Sequence, residues 1–99
     1  MSGKTTEDDL IDSTKTSFRI IEQIKENGRA GISGLAEQLD LPKSTVHRHV
    51  KTLSELGYLV REEDGYRLGL RFLDLGDQSR SQQQLFDIAK PEVDELIED

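Results

Sequence analysis

The apolar residues of this chain recur at helical spacing in separate stretches and alternate in one, and those periods predict its elements. Phe18, Ile21 and Ile24, with Ile20, form the stripe of an amphipathic helix beginning at about Ser13. Asn27-Gly28 ends it, since both residue types tolerate the left-handed backbone that closes a helix. Ile32 is expected in a one-bridge strand. Ser33 is a good N-cap for a short second helix whose buried face is Leu35, Ala36 and Leu39. Pro42 suits the first position of a third helix, where its missing N–H costs nothing and its φ is already helical.

That third helix runs to about Leu56, with Gly57 placed to follow its C-cap. On its wheel Val46, Val50 and Leu53 share one face, whereas Ser44, Arg48 and Lys51 project from the other, with Thr45 and His47 on the flanks. Tyr58 to Glu62 then alternates as a strand, Asp64-Gly65 is a two-residue hairpin turn, and Tyr66-Arg67-Leu68 returns. From Gly69 or Leu70 the pattern is helical again through Leu73 and Leu75, then polar over residues 78–84. A last apolar face repeats at Leu85, Ile88, Ala89, Val93, Leu96 and Ile97, with Pro91 expected to kink or restart that helix.

The predicted fold is therefore mainly α with a small antiparallel β-hairpin. It is a winged helix-turn-helix, with its two helices over about 34–54 and its wing over about 58–69, followed by a linker helix and a C-terminal helix. Residues 1–12 read as a flexible acidic tail, 13–76 as the winged domain and 77–99 as linker and tail helix. An amphipathic terminal helix on a domain already complete suggests a dimer contact or a larger protein.

Composition narrows the function. Ninety-nine residues make one small domain, and the absence of cysteine removes disulfides and thiolate metal sites, which fits a cytoplasmic protein. No apolar run is long enough for a membrane span or a secretory signal. The net charge of −7, taken as a whole, opposes a nucleic-acid partner. It is concentrated at the ends, however: residues 1–12 carry −3 and residues 87–99 carry −5, so the middle carries +1. Residues 41–54 hold Lys43, Arg48, Lys51 and both histidines with no acid. The terminal acid excess is expected of a salt-adapted source. In molar salt the Debye length is about 3 Å, so distant acids hardly repel DNA and direct contacts carry binding.

The candidate chemistry follows from residue type. An arginine such as Arg48 can make two parallel hydrogen bonds to guanine, and hydroxyls such as Ser44 and Thr45 reach base edges or phosphates, although Ser44 can equally serve the helix's first amides. Lys43 and Lys51 are point charges suited to phosphate. Ser33 can offer its hydroxyl and the helix amides to a phosphate or simply cap. Arg61 and Arg67 flank a wing tip made acidic by Glu62, Glu63 and Asp64 and can reach the backbone from its base. Lys15 and Arg19 read as a solvated face, and His49 as a half-buried, hydrogen-bonded histidine. His47 and His49, two apart, point to different faces and cannot hold one metal between them, so neither a metal site nor an enzyme is expected. The alternative to DNA binding is a winged-helix module that binds another protein.

Four blocks carry a family resemblance. They are Gly34-Leu35-Ala36-Glu37-Gln38-Leu39; Leu41-Pro42-Lys43-Ser44-Thr45-Val46-His47-Arg48; Leu53 with Leu56-Gly57-Tyr58-Leu59; and Tyr66-Arg67-Leu68-Gly69-Leu70-Arg71-Phe72-Leu73-Asp74-Leu75-Gly76. Together they resemble the DNA-binding domain of the isocitrate-lyase-regulator (IclR) family of transcription regulators. His49 departs from the leucine usual there. The resemblance implies that Ser44, Thr45 and Arg48 enter the major groove of double-stranded DNA, that the protein acts as a homodimer on a pseudo-palindromic operator, and that no cofactor is needed. It also implies that Leu85 to Glu98 begins an effector-sensing domain whose remainder, with any small-molecule pocket, this chain lacks.

Overall fold

The computed structural model describes the backbone of residues 9–98 and the side chains through Asp87; residues 1–8, most of the expected acidic tail, lie outside the described residues. In order, the elements are α1 (Asp12–Asn27), α2 (Ile32–Leu39), α3 (Lys43–Glu55), β1 (Leu59–Glu62), β2 (Gly65–Leu68) and α4 (Arg71–Glu98). The chain divides into two compact units, residues 1–69 and 70–99. The first is a winged helix-turn-helix: three helices around one apolar cluster, closed by a two-stranded antiparallel hairpin.

The core follows the helical period. Ile20 and Ile24 of α1, Leu35 of α2, and Val46 and Val50 of α3 are fully buried, and Ile21, Ala36, Leu53 and Leu59 complete the cluster. Each such aliphatic side chain contributes about 1.5–3 kcal/mol when removed from water. Phe18 was expected in this stripe, yet it is 56% exposed. Two residues before Ile20, it sits about 200° around the helix from it, outside the buried arc.

The turn between α2 and α3 depends on Asp40, whose φ of 56° makes it the single non-glycine residue in the left-handed region among the described residues. Aspartate tolerates that conformation better than most residues. It lets the Leu41 N–H reach the Ala36 carbonyl at 2.9 Å. Arg19 of α1 donates to the Leu39 carbonyl at 2.9 Å, and Asn27 donates to Gln38 at 2.8 Å, so α1 fastens the end of α2. Arg19 thus satisfies a helix-terminal carbonyl instead of standing on a merely solvated face.

Several boundaries differ from the expected ones. Pro42 is the N-cap of α3 and not its first turn residue: its φ of −62° is helical but its ψ of 144° is extended, and its carbonyl accepts from Val46 at 3.1 Å. Gly31 rather than Ser33 caps α2, and Ser33 is an exposed residue inside its first turn. The isolated bridge forms not at Ile32 but at Ala30, which pairs with Tyr66 through bonds of 3.0 and 2.8 Å.

In the hairpin, Leu59 faces Leu68 and Glu62 faces Gly65, so the two turn residues are Glu63 and Asp64, one position earlier than expected. Gly65 carries the positive φ, at 150°, and a Cβ there would lie 2.8 Å from the Ala30 carbonyl oxygen. The third strand-like segment can approach only a glycine. After the hairpin in sequence, α4 is one continuous helix of 28 residues that passes through Pro91, in place of the two helices expected. A proline inside a helix forfeits one backbone bond but does not require the chain to leave the helix.

The buried cluster sets a stability expectation. Leu35→Ala should destabilise the domain by about 2–5 kcal/mol, a large part of the ~5–15 kcal/mol available to a small domain. Urea unfolding followed by circular dichroism would read this as a lower midpoint at unchanged slope, whereas Phe18→Ala should leave the midpoint nearly in place.

Candidate nucleic-acid interface

Burial of Val46, Val50 and Leu53 turns the opposite face of α3 to solvent, and on it Lys43, Ser44, His47, Arg48, Lys51 and Thr52 are all exposed, with Thr45 half-buried on the flank. Among the described residues, Lys43, Arg48 and Lys51 form no ion pair, and the Ser44 hydroxyl makes no hydrogen bond to a neighbour. The donors on this face are therefore not committed within the fold. Thr52 is an exception, since its hydroxyl donates to the Arg48 carbonyl one turn back at 2.9 Å.

Two clefts flank the helix. Toward the hairpin, His47, Lys51, Ser54 and Glu55 meet Arg61 and Tyr66 around a cleft of about 290 Å³. This brings together three residues singled out in the sequence, His47, Lys51 and Arg61, from two elements. It also brings in an acid, Glu55, which follows Lys51 by one helical turn. The Ser54 hydroxyl oxygen is buried without a hydrogen-bond partner. Toward α1, Arg48, His49 and Thr52 face Ser13, Thr14 and Ser17 across a second cleft, also about 290 Å³. His49 is half-buried there, its Nδ1 2.7 Å from the Ser17 hydroxyl.

The wing's charges are arranged by a residue that no pattern along the chain singles out. Arg29, just after α1, holds Asp64 through bonds of 2.8 and 3.0 Å and lies 3.4 Å from Glu62. Arg67 donates to the same Glu62 at 2.6 Å and to the Leu68 carbonyl at 3.1 Å. Two of the three acids at the wing tip are thus paired, and Arg67, expected to reach a DNA backbone, has its guanidinium on Glu62 instead. Arg61 and Glu63 remain exposed. The Arg29–Asp64 pair spans 35 residues in sequence, so no helical or strand period could have indicated it.

The remaining candidates are more scattered. Ser33 stands exposed at the start of α2 and lines neither cleft beside α3. Among the described residues, no cluster of three or more histidine, cysteine or acidic side chains is placed to hold a metal, and no helix is long and apolar enough to cross a membrane.

The Arg29 hydrogen bond holds the Asp64 carboxyl below its usual value of 3.8 and raises Arg29 in turn. For a carboxyl lowered in the folded state, the associated stability is present above the usual value and is lost as pH falls through the folded one. Both partners are solvent-exposed, so the effect is local and small. NMR titration should find the Asp64 carboxyl protonating below 3.8, and Arg29→Ala should return it toward that value and speed amide exchange at the wing tip.

Comparison with known proteins places this geometry. A family described as the IclR helix-turn-helix domain matches residues 15–63. The chain is 32% identical over 87 residues to the probable HTH-type transcriptional regulator ArcR of Halobacterium salinarum, an alignment covering 87% of this chain and 33% of that protein. It is 41% identical over 66 residues to the HTH-type transcriptional regulator KipR of Bacillus subtilis, covering 66% of this chain and 26% of that protein. In fold it is similar to the crystal structure of an IclR family transcriptional regulator from Brucella abortus, with a TM-score of 0.72 at 23% identity, covering 92% of this chain and 36% of that one. The chain spans about a third or less of the length of the curated relatives it matches.

Proposed function

The chain belongs to the IclR helix-turn-helix family, and from that premise we propose that it binds double-stranded DNA sequence-specifically and regulates transcription, with α3 entering the major groove. The observation that carries the proposal is the exposed face of α3: Lys43, Ser44, His47, Arg48 and Lys51 stand together with no ion pair among the described residues, on a helix whose other face is locked in the core. A helix is about 10–12 Å across with its side chains, and the major groove of B-DNA is about 12 Å wide. Such a helix fits the groove, and its exposed side chains meet base edges.

Within that reading Arg48 contacts a guanine, Ser44 and Thr45 reach base edges or the adjoining phosphate, and Lys43, Lys51, His47 and Arg61 neutralise or bond phosphates. Ser33 offers a further backbone contact from α2. Arg67 acts through Glu62, fixing the wing that carries Arg61. The protein works as a homodimer on a pseudo-palindromic operator whose half-sites lie about 34–36 Å or a multiple apart. A small-molecule effector, where one is used, acts through a domain that these 99 residues do not include. The protein is cytoplasmic and does no catalysis, in keeping with the regulator names of its relatives. The acid-rich ends and the similarity to a Halobacterium protein favour a salt-adapted setting.

Selection of bound duplexes from a random pool, run across a salt series, tests this directly. Arg48→Ala should cost about 1–3 kcal/mol and relax the preference at one base pair, and Lys51→Ala should weaken all sequences and flatten the salt slope by about one unit. Absence of any enriched duplex at every salt concentration would instead favour a winged module that binds protein.

A further inference from the structure

The two clefts beside α3 differ in chemistry, and the difference assigns the second one a role. A helix lying in the major groove has one sugar-phosphate backbone along each flank, because groove and helix are nearly equal in width. On the reading of α3 proposed above, the cleft toward the hairpin, lined by Lys51, His47 and Arg61 with the acid Glu55, lies beside one of those strands. We propose that the cleft toward α1 is a second phosphate-binding subsite, taking a backbone phosphate of the opposite strand chiefly through the hydroxyls of Ser13 and Thr14.

This proposal rests on the reading of α3 as the groove-entering helix. All six residues lining the cleft, Ser13, Thr14, Ser17, Arg48, His49 and Thr52, can donate a hydrogen bond, and none is a carboxylate. A phosphate offers acceptors only, so a wall made of donors is complementary to it. Within the cleft, Ser17 is tied to His49 at 2.7 Å and Thr52 to the Arg48 carbonyl at 2.9 Å. Those bonds fix the floor. Ser13 and Thr14 are exposed, and among the described residues their hydroxyls make no hydrogen bond, which leaves both available to a ligand. Both also fall just before residues 15–63, the span matched by the family.

Hydroxyl contacts release no counterions, so this subsite adds affinity that salt does not erode, unlike the lysine and arginine contacts on the other flank. In a protein whose acid excess lies at its two ends, that is a way to hold DNA where ionic steering is screened.

The test uses the whole chain and its selected duplex. Ser13→Ala with Thr14→Val is expected to lower affinity by roughly tenfold at every salt concentration with the salt slope unchanged, since a hydrogen bond to a charged group is worth more than one between neutral groups. Thr14→Ser should retain parental binding. Replacing phosphates singly by neutral methylphosphonates should reveal one position per half-site, on the strand opposite the Lys51 contact, where parent and double variant bind alike. Parental affinity in the double variant, or a loss of the same size at every methylphosphonate position, overturns the subsite while leaving the α3 reading intact. Failure of the parent itself to bind any duplex overturns the α3 reading and the subsite together.

Discussion

Val46, Val50 and Leu53 enter the same apolar cluster as Ile20, Ile24 and Leu35, and this burial leaves α3 a single rotational setting. A rotation of even one residue, about 100°, would bring Arg48 or Lys51 toward the core and expose a valine. Burying an unpaired charge costs far more than any contact it could make there. The outward display of Ser44, Arg48 and Lys51 is thus a consequence of core packing, not a separate property of the surface.

The rest of the fold supports that setting from three sides. The left-handed Asp40 fixes the entry to α3, Arg19 and Asn27 tie α1 to the end of α2, and the Ala30–Tyr66 bridge lays the segment after α1 against the hairpin. Gly65 makes that bridge possible by having no side chain where the Ala30 carbonyl passes. Together these contacts give the helix two unlike flanks, a cationic one against the wing and a hydroxyl-lined one against α1. The acids at the wing tip matter less than their number suggests, because Arg29 and Arg67 already pair with two of them.

The chain as a sequence determined the order of the helices and strands of the winged unit, the buried face of α3 and the outward set Ser44, Arg48 and Lys51, because all of these follow from local periods of 3.6 and 2 residues. Turn chemistry was legible in kind but not to the residue: Pro42, Ser33 and Asp64-Gly65 each sit one or two positions from their expected roles, since a cap or turn is chosen by the ψ and register of both neighbours and not by the residue alone. The tertiary structure alone decided the use of Arg19 as a helix clasp, the Arg29–Asp64 pair and the meeting of Ser13, Thr14 and Ser17 with Arg48. Each of these joins groups from different elements, and local pattern holds no information about which distant side chain will be close. That information arises only when the helices pack and their rotations are fixed by the shared core.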